Sequence, residues 1–299
     1  MIKLDLGAEP TELTDARAMY LPLAVAAVHD HGVSSTQLTD VVKQGYGVAR
    51  PELYKRQYKK CAFCEKLMDK AYSPVEHFRP KGGAQYLNGL KWVMEKTHYW
   101  WLAWTWSNLY FSCADCNLTK HKGNKFPIKS TTKRIDVPPA PVTFPIAGQY
   151  FDIENEENLL IDPRKDDPFK HLEWSPVDRR MPKVKWIWTI SGRDERGSTT
   201  IDVLKLKRRV DEVNDHLDAI RLAWGQIDCH LQSGRLQDAR AVWLEAITKY
   251  VDDPKKQYRN AAWCALNSLC DSRERAVHGF AEPVQPSITY VMPGLAPVP

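Results

Sequence analysis

Two Cys-x-x-Cys pairs, Cys61-Ala62-Phe63-Cys64 and Cys113-Ala114-Asp115-Cys116, enclose Glu76-His77 and Asn108, and Asn117 follows the second pair directly. Each pair spaces two sulfurs for one metal. Together they complete a tetrahedral four-thiolate shell, which predicts a structural zinc with no position open to water or substrate. Such an ion contributes on the order of 10 kcal/mol to a small zinc-dependent unit. The 48 residues from 65 to 112 make the gap far longer than in a simple zinc ribbon, so an inserted segment is expected. Glu76 and His77 are neighbours, and on a strand they face opposite sides. Histidine near neutral pH serves as a general base, worth about 10²–10⁴ in rate. An acid, a base and amide oxygens side by side are the groups that metal-assisted phosphodiester hydrolysis requires.

The charge around this cluster is uneven. Net charge is +5. From Cys116 to Ile135 there are six basic residues (Lys120, Lys122, Lys125, Lys129, Lys133, Arg134) and no acid. Before the first pair lie Lys43, Arg50, Lys55, Arg56, Lys59 and Lys60, opposed by Glu52. Basic flanks beside a phosphodiester site suit a polyanion, whose counterions are released on binding.

The elements that must position these groups follow from periodicity. Leu13, Ala16, Met19, Tyr20, Leu23, Ala27 and Val28 recur at helical spacing, with Pro22 as a kink and Gly32 as a stop. Pro51 opens a short basic helix leading to Cys61. Residues 74–78 read as a strand ending in the turn-prone Arg79-Pro80-Lys81-Gly82-Gly83. The run Tyr99-Trp100-Trp101-Leu102-Ala103-Trp104-Thr105-Trp106 offers faces for base stacking, but it is almost without polar residues, so core packing of a helical insertion is the expectation. Prolines 138, 139, 141 and 145 mark a connector. Alternation from Val184 to Ile190 predicts a strand. Thr199-x-x-Asp202 resembles a capping box, and Val203, Leu206, Val210, Val213, Leu217, Ile220 and Trp224 follow as a heptad seam, read as intramolecular core or as a partner-docking stripe. Further helices are expected over 236–250 and from Pro254. The organisation is therefore a helical region at 1–50, the chemistry-bearing core at 51–135, a connector with a strand at 136–197, a helical region at 198–281 and an irregular tail at 282–299. Cys264 and Cys270 lie on an apolar helical stretch as small core residues, and Cys229 also stands outside the pairs.

The order Cys-x-x-Cys, Glu76-His77-x-x-Pro80-Lys81, Asn108-Leu109, Cys-x-x-Cys-Asn117-x-x-Lys120 resembles HNH endonucleases with a ββα-metal finger. The fuller strings Val75-Glu76-His77-Phe78-Arg79-Pro80-Lys81, 99–104, 107–109, Phe126-Pro127, Leu160-Ile161-Asp162-Pro163 and Asp166-Asp167-Pro168 are similar to the HNH subunit of Septu-type anti-phage defence, also found in retron operons. The resemblance covers about residues 50–170. It implies an α+β, mostly helical fold: a ββα-metal HNH core with the four-cysteine zinc site, plus a helical C-terminal region. By that resemblance His77 is the general base. Glu76 and Asn117 hold a catalytic Mg²⁺ or Mn²⁺, with His121 a further candidate, and Asn108 orients the histidine loop through backbone hydrogen bonds. Lys120, one helical turn past Asn117, and Arg79, Lys81, Lys122 and Lys125 meet the nucleic acid. The terminal histidine of the shortest HNH pattern is replaced by Asn117, whose amide oxygen is an acceptable Mg²⁺ ligand. The implied substrate is DNA in preference to RNA. The implied partners are an ABC/SMC-like ATPase and, in retron operons, a reverse transcriptase complex.

A rival reading is a non-catalytic zinc module that binds nucleic acid or scaffolds an assembly. It explains the cysteines and the basic flanks but gives no reason for Glu76, His77 and the asparagines. A third reading, compatible with the first, has the C-terminal helices dock the ATPase. No Gly-x-x-x-x-Gly-Lys-Ser/Thr loop occurs, so any ATP dependence comes from a partner. With no run of 18 apolar residues and no apolar leader at Met1–Leu6, a cytoplasmic chain without a membrane span is expected.

Overall fold

A computed structural model describes residues 1–68, 73–89, 91–96, 99–130, 156–177 and 186–290. Among the described residues helices dominate, and strands come in four separate pairs, in keeping with an α+β class. The Pro-rich segment 131–150 and residues 184 and 185 of the 184–190 alternation lie outside the described residues.

Strand β1 (Lys3–Asp5) leads into helix α1 (Thr11–His31), which ends where Gly32, at φ 81°, returns its N–H to the Val28 carbonyl. The buried stripe of α1 is Leu13, Ala16, Arg17, Leu21, Ala24 and Ala27. Met19 and Leu23, expected on that stripe, are 62% and 50% exposed. At about 100° per residue they sit well off the stripe's centre. Helix α2 (Thr36–Val42), capped by the Ser35 hydroxyl, and α3 (Arg50–Arg56), with Pro51 in its first turn, carry the chain to the first cysteine pair.

Strands β2 (Val75–His77) and β5 (Leu109–Phe111) pair antiparallel, with Glu76 opposite Tyr110 and His77 opposite Leu109. Helix α4 (Ala114–Asn117) follows β5 directly. Between them the expected helical insertion is instead a hairpin, β3 (Ala84–Asn88) and β4 (Lys91–Glu95), followed by two 3₁₀ turns at Trp100–Leu102 and Trp106–Asn108. Asn88 pairs with Lys91, and Gly89, at φ 61°, opens the tight two-residue turn between them. Trp100, Trp101, Trp104 and Trp106 are buried, so they pack the core rather than offering stacking faces.

Helix α5 (Pro168–His171) and the antiparallel pair β6 (Leu172–Pro176) and β7 (Trp188–Gly192) follow. Helix α6 (Glu195–Leu204) begins four residues before the expected Thr199 box, because the Asp194 carboxylate accepts from the Gly197 N–H at 2.8 Å and caps it there. Lys205, at φ 51°, ends α6; a 3₁₀ turn at Leu206–Arg209 then leads to α7 (Val210–Gln232). The heptad seam is thus split between two helices, and Val203, Leu206, Val213, Leu217 and Ile220 are buried within the chain. Helix α7 packs on α8 (Leu236–Ile247) and α9 (Arg259–Leu269). Left-handed Tyr258, at φ 55°, delays α9 past Pro254. A capping box does occur, at Asp271 and Glu274, opening α10 (Ser272–His278). In place of a wholly irregular tail, β8 (Ser287–Thr289) pairs parallel with β1. Cys264 and Cys270 are buried core residues, and Cys229 is exposed. Among the described residues no helix is long and apolar enough to cross a membrane.

Candidate functional site

The first cysteine pair lies in a turn closed by the Cys61 N–H on the Lys66 carbonyl (2.9 Å) and by left-handed Glu65 at φ 62°. Its Ala62 N–H donates to the Phe111 carbonyl of β5 (3.0 Å), which brings it beside the second pair. Gln57 steadies the same place, its buried amide donating to the Phe111 carbonyl (2.8 Å) and accepting from the Phe111 N–H (2.9 Å). Cys113 caps α4, accepting from the Cys116 N–H at 3.3 Å.

All four sulfurs are buried and lie within 4.8 Å of one another. Tetrahedral zinc with Zn–S of about 2.3 Å gives sulfur–sulfur edges of roughly 3.8 Å, and Cys64 Sγ lies 3.7 Å from Cys113 Sγ. The shell fits a metal ion such as zinc, held by Cys61, Cys64, Cys113 and Cys116. Hydrogen bonds from Cys116, Cys61 and Cys64 hold the Cys113 thiol far below its usual range, while burial pushes Cys61 well up. A dication lets all four ionise together.

Glu76, His77, Lys81 and Asn117, the residue after Cys116, line a cleft of about 340 Å³ together with Tyr46 and Arg50. His77 is buried, and its Nε2 donates to the Ala103 carbonyl at 2.9 Å. That bond sets the tautomer and leaves the lone pair on Nδ1. The Tyr46 ring stands nearly perpendicular to it, centroids 4.6 Å apart. Burial, then the Lys81 charge, hold the imidazole well below its ordinary pKa, so it is neutral near pH 7. The tryptophan run therefore has a task at the site. It buries the turn whose Ala103 carbonyl orients His77 and whose Leu102 carbonyl accepts from Asn108 Nδ2 at 3.1 Å. Asn108 Oδ1 accepts from the Arg79 N–H (2.7 Å), and Nδ2 also donates to the Arg79 carbonyl (3.0 Å). Those bonds clamp the loop immediately after His77.

Glu76 is buried as well, and its Oε1 accepts from Lys122 Nζ at 2.5 Å. The same ammonium donates to the His77 carbonyl at 2.7 Å and has no exposed side-chain surface. Burial raises the Glu76 carboxyl above its ordinary range, against the pull of Lys122 and Lys81.

Several expected positions are placed differently. Lys122, expected as a nucleic-acid contact, is the internal partner of Glu76. Arg79, expected in the same role, is buried with Nε on Glu156 at 2.8 Å. Helix α4 stops at Asn117 because Leu118 is extended (ψ 144°), so Lys120 does not continue it. His121 turns its Nδ1 onto the Asp115 carbonyl. Among the described residues, Lys120, His121 and Lys125 are outside the cleft lining, whereas Lys81 is on it with its ammonium 4.5 Å from the Tyr46 ring centroid. Tyr46, which no motif marks, and Arg50, one of the basic residues before the first pair, reach the cleft lining from the segment that opens α3. Of the charges before the first pair, Arg56 and Lys60 are buried. A larger cavity, about 600 Å³, touches Arg79 and Glu156 but none of Glu76, His77, Asn108 or Asn117, and its mixed acids and bases favour neither sign of ligand.

The buried pair yields a test. Lys122→Met leaves the Glu76 carboxylate unpaired and should cost about 3–5 kcal/mol of stability. Adding Glu76→Gln should restore much of the loss. Denaturant titration of the parent, the single and the double variant reads this directly, and a single variant as stable as the parent contradicts the pairing.

Against curated proteins, the chain is similar to the Septu protein PtuB of Bacillus mycoides (strain KBAB4), 31% identical over 217 residues, which are 70% of this chain and 64% of that protein. The match spans less than two thirds of the relative's own length. No family model matches the chain, and no solved structure does.

Proposed function

We propose that the chain is a metal-dependent HNH endonuclease serving Septu-type anti-phage defence. The observation that carries the reading is His77, its Nε2–H tied to the Ala103 carbonyl and its lone pair left on Nδ1, in one cleft with Glu76, Asn117, Arg50 and Lys81. The antiparallel pair β2–β5 followed by α4 supports an HNH arrangement, and the similarity to a Septu protein supports the defence setting.

In this mechanism Arg50 and Lys81 hold the phosphate in the cleft. His77 Nδ1 takes the proton from the attacking water. Asn108 keeps the His77 loop in place through Arg79 and Leu102. Glu76 and Asn117 would hold a divalent ion by hard oxygen donors, with waters completing the shell as Mg²⁺ prefers. When bound, that ion supplies positive charge for the developing phosphorane and the leaving 3′ oxygen. The products carry 5′-phosphate and 3′-hydroxyl ends. The substrate is DNA before RNA. An ABC/SMC-like ATPase is the proposed partner, with a reverse transcriptase complex added where a retron is present. Because the heptad seam is spent inside the chain, such a partner meets outer faces, including exposed Leu222 on α7 and Leu244 on α8.

The test is cleavage of plasmid DNA and of total RNA in Mg²⁺ or Mn²⁺ against EDTA, with and without an ATPase encoded beside it. Metal-dependent shortening of either substrate is expected. Retention of nucleic acid in EDTA, with no shortening under any metal or partner condition, would instead make the chain a zinc-stabilised binding or scaffold subunit.

A further inference from the structure

The zinc-type centre has neighbours that no ligand spacing announces. The 3₁₀ turn at Leu206–Arg209, between α6 and α7, places two guanidinium groups against its sulfurs. Arg208 Nη2 lies 3.2 Å from Cys116 Sγ, and Arg209 Nη2 lies 3.7 Å from Cys113 Sγ. Neither arginine is loosely held. Arg208 Nη1 donates to the Leu204 carbonyl and, at 2.8 Å, to the Lys205 carbonyl, two acceptors exposed by the left-handed break at Lys205. Arg209 is buried and bridges Asp115 Oδ2 (2.5 Å) and Glu212 Oε1 (2.6 Å). Glu212 is itself fixed by the Tyr258 hydroxyl (2.8 Å) and Lys66 (3.0 Å).

Four thiolates around a dication leave two formal negative charges in a buried place. Burying charge without a partner is costly. The Cys116 N–H on Cys113 offsets part of it (3.3 Å). Two guanidinium groups, each with an N–H donor aimed at one sulfur of the pair, offset more of it. Groups outside the ligand shell tune metal retention in this way, and losing them typically costs 10–100-fold in affinity.

We propose that Arg208 and Arg209 are the outer part of the metal centre, offsetting its charge and retaining the ion. The C-terminal helices thereby become part of a site whose ligands all lie in the central region. The same clamp reaches the cleft, because Asn117 follows Cys116 on α4. The assignment rests on the four-cysteine site alone and stands whether or not the chain cuts nucleic acid.

The test uses the full chain, its zinc content measured first, then the rate of zinc release to an excess of a chromogenic chelator. Arg208→Gln with Arg209→Gln should release zinc about tenfold faster or more, each single variant falling between. Arg221→Gln, which removes an exposed arginine of α7 paired with Asp218, should match the parent. In the Co²⁺-substituted protein the thiolate-to-metal charge-transfer band should move to longer wavelength in the double variant. Lost N–H···S bonds raise the sulfur lone pairs, an effect that mere loosening of the helices does not produce. If the double variant fails to fold, Arg208→Lys with Arg209→Lys keeps the charge but loses the fork, and should show the same changes at reduced size. Release and band both equal to the parent, in whichever pair folds, overturn the proposal. A parent that holds no zinc overturns it together with the cysteine site.

Discussion

His77→Ala lowers cleavage by about 10²–10⁴-fold while zinc content stays at the parent level. The expectation follows from the ring's setting. Its Nε2 proton is committed to the Ala103 carbonyl, so Nδ1 is the nitrogen able to accept a proton. The substitution leaves that buried carbonyl without its donor, a loss of about 1–3 kcal/mol, so single-turnover rates should be measured below the variant's own melting range. The pH profile gives a second check. Burial holds the folded-state pKa well below the ordinary 6.5, so the base stays neutral as pH falls through that value. The acid-side drop in rate should therefore lie below pH 6.5. The sign for stability is the same. A depressed histidine contributes fully above the unfolded pKa, and its contribution is lost as pH falls toward the folded one. Parent-like cleavage by His77→Ala would make the mechanism wrong.

Removal of the metal ion that the four cysteines can hold is expected to unfold the central region. Structural zinc contributes on the order of 10 kcal/mol, against a total stability of about 5–15 kcal/mol for a typical domain. Here the four sulfurs sit where the turn before β2, the end of β5 and the start of α4 converge. Without the ion, four buried thiols remain packed within 4.8 Å of one another in the core. Cys113→Ser, or prolonged treatment with a strong chelator, should abolish the cooperative thermal transition and shift tryptophan emission to longer wavelength. The emission shift is expected because Trp100, Trp101 and Trp104 lie in the same hydrophobic cluster as the cysteines. Cys229→Ser, at an exposed position, should melt with the parent. A metal-free chain that melts within a few degrees of the zinc form would reduce the centre to an incidental site.

What is legible in the sequence is what short spacing encodes. Two sulfurs separated by two residues reach one ion whatever surrounds them, so the four-cysteine shell can be read directly at Cys61, Cys64, Cys113 and Cys116. The strand at Glu76-His77, the stop at Gly32 and the helix opened by Pro51 are legible for the same reason, each resting on backbone preferences a few residues long. Expectation and structure part where two local signals compete. Asp194 out-caps Thr199, and left-handed Lys205 and Tyr258 break helices whose apolar periodicity runs on.

Only the tertiary structure decided which charges line the cleft and which are paired inside the fold. Lys120, Lys122 and Lys125 are alike as letters. The turn after α4 sends Lys122 inward to Glu76, helped by Gly123 at φ 44°, where a Cβ would meet the Thr119 backbone at 2.8 Å. Arg208 and Arg209 reach sulfurs 92 and 96 residues away, and Tyr46 reaches His77 from the segment before α3. The physical reason is range. Ligand spacing and capping are set by a few consecutive dihedrals, whereas the partner of a buried charge is set by which distant surfaces the folded core presses together.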